Sequence, residues 1–173
     1  EDLLKNKDRT KFDELPEAEA EGVQWAADYI NINTSDTNPM EWEQNGTIEA
    51  GDVTIKGRYD LVNGNKLFDL KNQLEAKGKS YIPQVAAYAL MIMMRDDLDS
   101  FETHLLYAAP KVVKTHTFTR PQAEKILSDV VDNVIKGELK PNSYCSWCNR
   151  AATCPAMTET ANKLSEEFTT ELE

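Results

Sequence analysis

The stretch that decides the fold is residues 53–71, VTIKGRYDLVNGNKLFDLK, in which two runs rich in apolar and β-branched residues flank Asn63-Gly64. Asn-Gly between two such runs is the strongest short-range signal for a β-hairpin. We therefore predict strands at 53–62 and 66–71. A third strand-like run, 40–48, precedes them across the turn-forming residues 49–52, so three consecutive strands are expected.

The elements outside this hairpin follow from the spacing of apolar residues along the chain. The predicted elements are helices through 23–30, across 80–95 and from 120 onwards, and strands at 101–108 and 112–118. Pro83 fits only the first turn of its helix, and Thr119 fits the cap of the last one. This order of elements indicates a mixed α/β protein with a central sheet flanked by helices. Its length of 173 residues predicts a single domain over residues 1–173.

The hairpin predicts a convergence of three charged side chains. Asp69 and Lys71 are two residues apart on one strand, so their side chains leave the same face. If Asn63 and Gly64 form a two-residue turn, Asp60 pairs with Leu67 across the hairpin and joins that face. A slip of one residue in this register would separate the two carboxylates.

Two convergent carboxylates repel each other, and a hard divalent cation relieves the repulsion. Mg²⁺ binds oxygen ligands from a few carboxylates and leaves room for a phosphate. We expect Asp60, Asp69 and the backbone carbonyl of Leu70 as metal ligands, and Lys71 as the group that assists an attacking water. Gln84 and Tyr88, four apart on the following helix, share a face from which they can hold the Lys71 amine or the phosphate backbone.

These residues resemble a known family. The run GRYD at 57–60, DLK at 69–71 and QVAAY at 84–88 resembles the G-x-x-D, D-x-K and Q-x-x-x-Y motifs of RecB-like PD-(D/E)XK nucleases, in the same order. The resemblance covers roughly residues 15–155. It implies a restriction-endonuclease-like core, Mg²⁺ or Mn²⁺ as cofactor, DNA as substrate and hydrolysis of phosphodiester bonds.

The chain departs from this family in its first motif. RecB-like enzymes usually carry a His or Glu as a further metal ligand on the helix before the sheet. Here that helix begins Glu21-Gly22-Val23-Gln24, and we nominate Glu21 as the ligand, with Gln24 and Asp28 as alternatives. The two histidines, His104 and His116, lie in predicted strands, where a structural role is expected.

Three cysteines cluster near the C-terminal end, at Cys145, Cys148 and Cys154. An odd, clustered set does not suit an extracellular disulfide framework and indicates metal or cluster binding in a reducing cytoplasm. The spacing resembles RecB-like nucleases with an iron–sulfur cluster. Zn²⁺ is the alternative, and either centre normally takes four ligands. The fourth is expected outside this chain; the alternatives are a three-coordinate site, one completed by a non-protein ligand, or an empty one. We treat residues 142–156 as a cysteine-rich segment, with Tyr144 and Trp147 as shields of the centre.

The net charge of −11 argues against indiscriminate nucleic-acid binding, although a local docking surface remains compatible with it. The candidate phosphate contacts are Lys77, Lys79, Lys111, Lys114, Arg120 and Lys125. No stretch has the length of about 20 apolar residues that a membrane span needs.

Together these features predict a metal-dependent DNA nuclease, an exonuclease or recombination-type enzyme of bacterial or phage origin, acting in the cytoplasm with a possible recombination or helicase partner. The first alternative is a catalytically weak or inactive nuclease-fold module that binds DNA or a protein. The second is a zinc-stabilised adaptor that binds protein through its acidic face.

Overall fold

The computed structural model describes residues 15–71, 81–137, 139–141, 145–146 and 148–170. The helices there are α1 (Glu17–Asn33), α2 (Ile82–Asp96), α3 (Arg120–Lys136) and α4 (Pro155–Thr170), with a short 3-10 turn at Ala151–Thr153. The strands are β1 (Met40–Ala50), β2 (Val53–Asn63), β3 (Lys66–Lys71), β4 (Ser100–Tyr107) and β5 (Val112–Thr119). The predicted mixed α/β fold with a central sheet and flanking helices is confirmed.

The described residues fall into two compact units. The first ends at Val131 and contains the whole sheet, α1, α2 and most of α3. The second begins at Asp132 and contains the end of α3, the cysteine segment and α4. The single domain expected over residues 1–173 stays a prediction. None of the described helices is long and apolar enough to cross a membrane.

The five strands form one sheet in the order β1-β2-β3-β4-β5. Neighbouring strands are antiparallel except β3 and β4, which are parallel and are joined by α2. A parallel pair requires such a crossover, because the chain must return to the starting edge before the second strand can begin. The crossover carries α2 across one face of the sheet, directly after the strand that bears Asp69 and Lys71.

Helix α2 is apolar on nearly all sides, and every residue from Val85 to Met93 is buried. Its close approach to β1 and β2 depends on Gly46 and Gly57, which are cross-strand partners. A Cβ at Gly46 would lie 2.6 Å from Sδ of Met91, and a Cβ at Gly57 would lie 2.5 Å from Cε1 of Tyr88. The absence of side chains at this pair therefore lets α2 rest on the strand backbone.

Helix α1 covers the opposite face of the sheet. Its buried Ile30 belongs to a cluster with Leu61, Phe68 and Leu106, drawn from β2, β3 and β4. Near the helix start, a Cβ at Gly22 would meet the backbone oxygen of Ala108 at 2.8 Å. The first turns of α1 are thus held close to the end of β4, which lies beside the end of β3.

The hairpin register predicted for β2 and β3 is wrong by two residues. Val62, not Asp60, pairs with Leu67, and the turn residues are Gly64 and Asn65. Asn63 remains in the strand because its buried side chain holds the preceding loop: it accepts the N–H of Ser35 at 2.8 Å and donates to the carbonyl of Asn38 at 3.0 Å. Since the error is an even number of residues, Val62 and Leu67 still share one face of the hairpin.

Candidate active site

The last residues of β3 place an acid and a base side by side. The carboxylate of Asp69 is only 2% exposed and forms an ion pair with Nζ of Lys71. Side chains two apart on a strand share a face, which explains the contact. Oδ1 of Asp69 is completely buried and accepts no directed hydrogen bond from a described residue, although the Lys71 ammonium lies against it. This oxygen therefore has capacity for a further cationic partner.

Burial dominates the electrostatics of Asp69. The pKa of this carboxyl is raised from 3.8 to about 6: desolvation is the largest cause, the Lys71 ammonium lowers the pKa in opposition, and the charge of Asp60 adds a smaller increase. Burial outweighs the ion pair because the ionised form must give up its hydration. The effect of Asp60 also shows that the two carboxylates lie near each other.

Asp60 lies where β2 and β3 separate. The ladder between the two strands ends at the pair Leu61–Phe68, and beyond it the N–H of Leu70 donates to Oδ2 of Asp60 at 2.9 Å. A side-chain carboxylate thus takes the place of a backbone acceptor. In β1, on the other side of Asp60, Trp42 pairs with Leu61 and Gln44 pairs with Tyr59, so Glu43 lies opposite Asp60. The backbone of Glu43 has a φ of 50°.

The unusual backbone of Glu43 coincides with a change of face. Leu61 packs with α1, whereas Tyr59, only two residues earlier, packs in the cluster formed around α2. Regular alternation would put both residues on one face. Asp60 lies where β2 changes face, and its carboxylate accepts the N–H of Leu70 in β3.

Helix α2 supplies a chain of hydrogen bonds to the ammonium group. Lys71 donates from Nζ to Oε1 of Gln84 at 3.2 Å, and Gln84 donates from Nε2 to the hydroxyl of Tyr88 at 2.9 Å. Gln84 and Tyr88 were expected to hold either the Lys71 amine or the phosphate backbone, and this geometry agrees with the first role. The ammonium also lies over the ring of Tyr81, 4.5 Å from its centroid. The Lys71 side chain is thus held on three sides.

Sequence reasoning missed two residues of this arrangement. Tyr81 precedes α2 and carried no motif. Gly57 was noted only as part of a motif, but its lack of a side chain makes room for the ring of Tyr88, which in turn anchors Gln84. A glycine inside a strand was the available signal, because it weakens a strand unless another group approaches closely.

The residues present fit a divalent cation with oxygen ligands. Asp60 and Asp69 bring two carboxylates together, and a buried oxygen of Asp69 lacks a directed hydrogen bond. Mg²⁺ is commonly held by one or two carboxylates with water completing its shell. Among the residues that the structure describes, no three His, Cys, Asp or Glu side chains form a metal-binding group.

Glu21 is paired with a lysine from the loop between β4 and β5. It forms an ion pair with Lys111 at 2.7 Å, its side chain is 59% exposed, and Lys111 lowers the pKa of its carboxyl. The alternatives, Gln24 and Asp28, hydrogen-bond to each other at 2.8 Å. Neither Glu21 nor Asp28 forms a metal-binding group with Asp60 and Asp69 in the part of the chain that the structure describes, and the identity of the first-motif ligand stays a prediction.

The two histidines lie on the other strands. His104 is buried in β4, stacks on Phe68 with 4.9 Å between centroids, and contacts the Tyr29 hydroxyl at 2.9 Å and Glu102 at 2.6 Å. Desolvation lowers the pKa of this imidazole. These contacts fit the structural role expected for it. His116 lies in β5 and packs beside Phe118.

The cysteine segment belongs to the second unit. The described structure links none of the three cysteines in a disulfide; Cys145 and Cys154 are partly buried and Cys148 is exposed. The N–H of Cys148 donates to the carbonyl of Cys145 at 3.2 Å, and Cys154 directly precedes α4. Tyr144 and Trp147, expected to shield a centre here, lie outside the described residues.

Several of the cations expected to contact phosphate are neutralised by carboxylates. Lys111 pairs with Glu21, Arg120 with Asp97 at 3.3 Å, and Lys125 with Asp129 at 3.0 Å. Lys114 lies 6.0 Å from the ring centroid of Tyr107. Lys77 and Lys79 lie outside the described residues.

Comparison with known proteins identifies the family. The sequence model of the PD-(D/E)XK nuclease superfamily matches residues 5–155. No curated protein matches this sequence. Among solved structures, the fold is similar to one titled "Crystal structure of SSO0001", with 17% sequence identity and a TM-score of 0.49 over 80% of this chain and 70% of that chain. The family match spans most of the sequence, including every motif residue from Gly57 to Tyr88, and the chain therefore belongs to the PD-(D/E)XK nuclease superfamily.

Proposed function

We propose that this protein is a metal-dependent deoxyribonuclease in which Asp60, Asp69 and Lys71 form the catalytic centre. The observation that carries the proposal is their convergence at the end of β3, with a buried Asp69 oxygen that accepts no directed hydrogen bond. Members of this superfamily are typically nucleases that act on DNA with Mg²⁺ or Mn²⁺. The proposal assigns that chemistry to these particular residues.

Asp60, Asp69 and the carbonyl of Leu70 would hold the metal. When bound, Mg²⁺ or Mn²⁺ supplies positive charge that stabilises the phosphoryl oxygens and promotes ionisation of water. Asp60 also accepts the N–H of Leu70 at 2.9 Å, which fixes the backbone between Asp69 and Lys71. This bond restrains the direction of the Leu70 carbonyl.

Lys71 orients the attacking water and stabilises the negative charge that develops on the phosphate. Its ammonium is confined by Asp69, Gln84 and the Tyr81 ring, so the charge is positioned before substrate arrives. Gln84 accepts from the ammonium while Tyr88 holds the other end of the amide. Gln84 and Tyr88 are therefore positioning residues in this proposal.

Within the superfamily we place the chain in the RecB-like branch and infer an exonuclease. The Q-x-x-x-Y pattern supports this placement, because Gln84 and Tyr88 lie on the face of α2 that meets Lys71. A bacterial or phage origin, a cytoplasmic site of action and a recombination or helicase partner belong to the same proposal, and they rest on the resemblance.

We further infer that Cys145, Cys148 and Cys154 hold a structural metal or an iron–sulfur cluster, with a fourth ligand from outside this chain. The close spacing of the three cysteines along the chain supports it. Metal analysis and the visible absorbance spectrum of protein purified without oxygen distinguish an iron–sulfur cluster, Zn²⁺ and a metal-free segment.

The test of the nuclease proposal compares wild type with Lys71→Ala on end-labelled linear and circular DNA, in Mg²⁺ and in Mn²⁺. We expect cleavage of linear DNA from its ends by the wild type and a loss of at least 100-fold in Lys71→Ala, as for removal of a group that stabilises transition-state charge. Lys163→Ala, an exposed lysine on α4 that pairs with Glu159, is the matched control and should cleave normally. Equal cleavage by wild type and Lys71→Ala would remove the assignment, and inactivity of both would favour the inert binding module.

A further inference from the structure

The open edge of β2 offers a surface that leads to the candidate active site. Strand β2 begins at Val53, but its ladder with β3 covers only Leu61 to Asn63. Residues 53–60 are thus paired with β1 alone among the described strands. A strand with one unpaired edge presents backbone N–H donors to any ligand that approaches it. This edge ends at Asp60.

Two cations occupy one side of this segment. Ile55, Gly57 and Tyr59 face α2, as their contacts with its cluster and with Tyr88 show. By the alternation of a strand, Lys56 and Arg58 leave on the opposite side, and both are exposed. Their Cα atoms are separated by about 7 Å, so the two side chains follow one another along the strand towards Asp60.

The Arg58 side chain lies beside Glu43, at the same position along the sheet as the proposed metal ligand Asp60. Its guanidinium lies 3.8 Å from the carboxylate of Glu43, and Glu43 lies level with Asp60 in the neighbouring strand. The contact is long for an ion pair, and the Arg58 side chain is 61% exposed. An exposed pair of this kind contributes little stability, so an incoming phosphate competes for the guanidinium at small cost.

Six other described cations of the first unit are held by close oxygen contacts. Lys71, Arg95, Lys111, Arg120 and Lys125 each lie within 3.3 Å of a carboxylate oxygen, and Lys66 donates to a backbone carbonyl. Lys56, in contrast, forms no ion pair with a described carboxylate. In a chain of net charge −11, an unneutralised lysine beside a loosely paired arginine marks a local site for an anion.

We propose that Lys56 and Arg58 bind consecutive phosphates of a DNA strand that runs along the open edge of β2 into the active site, with Arg58 next to the scissile position. The inference rests on the proposed nuclease function and adds the path of the substrate. A linear track on one strand fits a single-stranded end, since its flexible backbone can follow the edge. The face of the sheet that carries Lys56 and Arg58 also carries their cross-strand partners in β1, which are Thr47 and Asn45.

The experiment measures binding of a labelled single-stranded oligonucleotide to Lys71→Ala protein in Mg²⁺, by fluorescence anisotropy across about 50–200 mM salt. Loss of one phosphate contact should reduce the slope of log K against log salt by about 0.7, which is about 5-fold in affinity at 0.1 M salt. We expect this reduction for Lys56→Ala and for Arg58→Ala, and about 25-fold for the double variant. Arg58→Lys should retain the slope, since it keeps the charge, and Lys163→Ala, at an exposed lysine of α4, is the matched control with an unchanged slope.

Two further measurements separate this inference from the function on which it rests. Wild-type protein with an intact Lys71 is assayed on DNA and on a thymidine 5′-nitrophenyl phosphate ester, which is too short to reach Lys56. Lys56→Ala should hydrolyse the ester normally and lose activity on DNA. If wild type cleaves DNA while both single variants retain the wild-type salt slope, the track is wrong and the nuclease assignment stands. If wild type cleaves neither substrate, the nuclease assignment fails.

Discussion

Replacing Asp69 with Asn should stabilise the metal-free protein at neutral pH. Burial raises the pKa of this carboxyl from 3.8 to about 6, so the folded state binds its proton more tightly than the unfolded state. Stability is therefore lost as pH rises from about 4 towards 6, and the loss is complete above that pH. A shift of this size corresponds to about 3 kcal/mol at neutral pH and above.

The amide of Asn resembles the protonated carboxyl, so Asp69→Asn should recover part of this free energy. We expect a gain of about 1–3 kcal/mol at pH 8, because Lys71 loses its carboxylate partner but keeps Gln84 and the Tyr81 ring. At pH 4, where wild-type Asp69 is protonated in the folded state, the two proteins should be about equally stable. The gain thus depends on pH in a direction that a simple packing change would not produce.

The assay is urea denaturation in the presence of a chelator, followed by the fluorescence of the partly buried Trp25 and Trp42. Asp129→Asn is the control, because that carboxylate is 60% exposed and should show no such gain. Excess Mg²⁺ should stabilise wild type but not Asp69→Asn, so that wild type has the larger free energy of unfolding when the metal is present. A variant that is less stable than wild type by the same amount at pH 4 and pH 8 would refute the reasoning.

The remaining predictions concern the contacts that hold Lys71 in place. Gly57→Ala puts a methyl group 2.5 Å from the Tyr88 ring and should cost about 1–3 kcal/mol in urea denaturation. In the Tyr88→Ala background the same change should cost much less, and an equal cost in both backgrounds would show that the contact is not the cause. Gln84→Ala removes the acceptor for the Lys71 ammonium and should lower kcat about 10- to 100-fold, as expected for a hydrogen bond to a charged group worth about 1.5–3 kcal/mol. Tyr88→Phe removes only the partner of the Gln84 amide and should lower kcat about 5-fold, in line with a neutral hydrogen bond of about 1 kcal/mol; a larger loss than for Gln84→Ala would contradict this order.

Local sequence patterns were sufficient to predict most of the secondary structure and the shared face of Asp69 and Lys71. The period of two along a strand decides that residues 69 and 71 share a face, whatever the rest of the chain does. In the same way, the four-residue spacing of Gln84 and Tyr88 predicts that they share a helix face, and the structure joins them there by a hydrogen bond. These relations depend only on backbone geometry, which is the same in every helix and strand.

Contacts between distant parts of the chain decided the rest. Asn-Gly predicted a turn, but the loop before β1 holds the Asn63 side chain and moves the turn on by one residue. Glu21 lies on the expected helix, yet its partner is Lys111, ninety residues away. The importance of Gly57 becomes visible only once Tyr88 lies over it. The sequence thus determined the elements and the side chains that share a face within each one, because regular backbone repeats in any context. Only the tertiary structure decided the register, the partner of each charge and the position of Asp60, because these depend on which side chains from other elements occupy the same space.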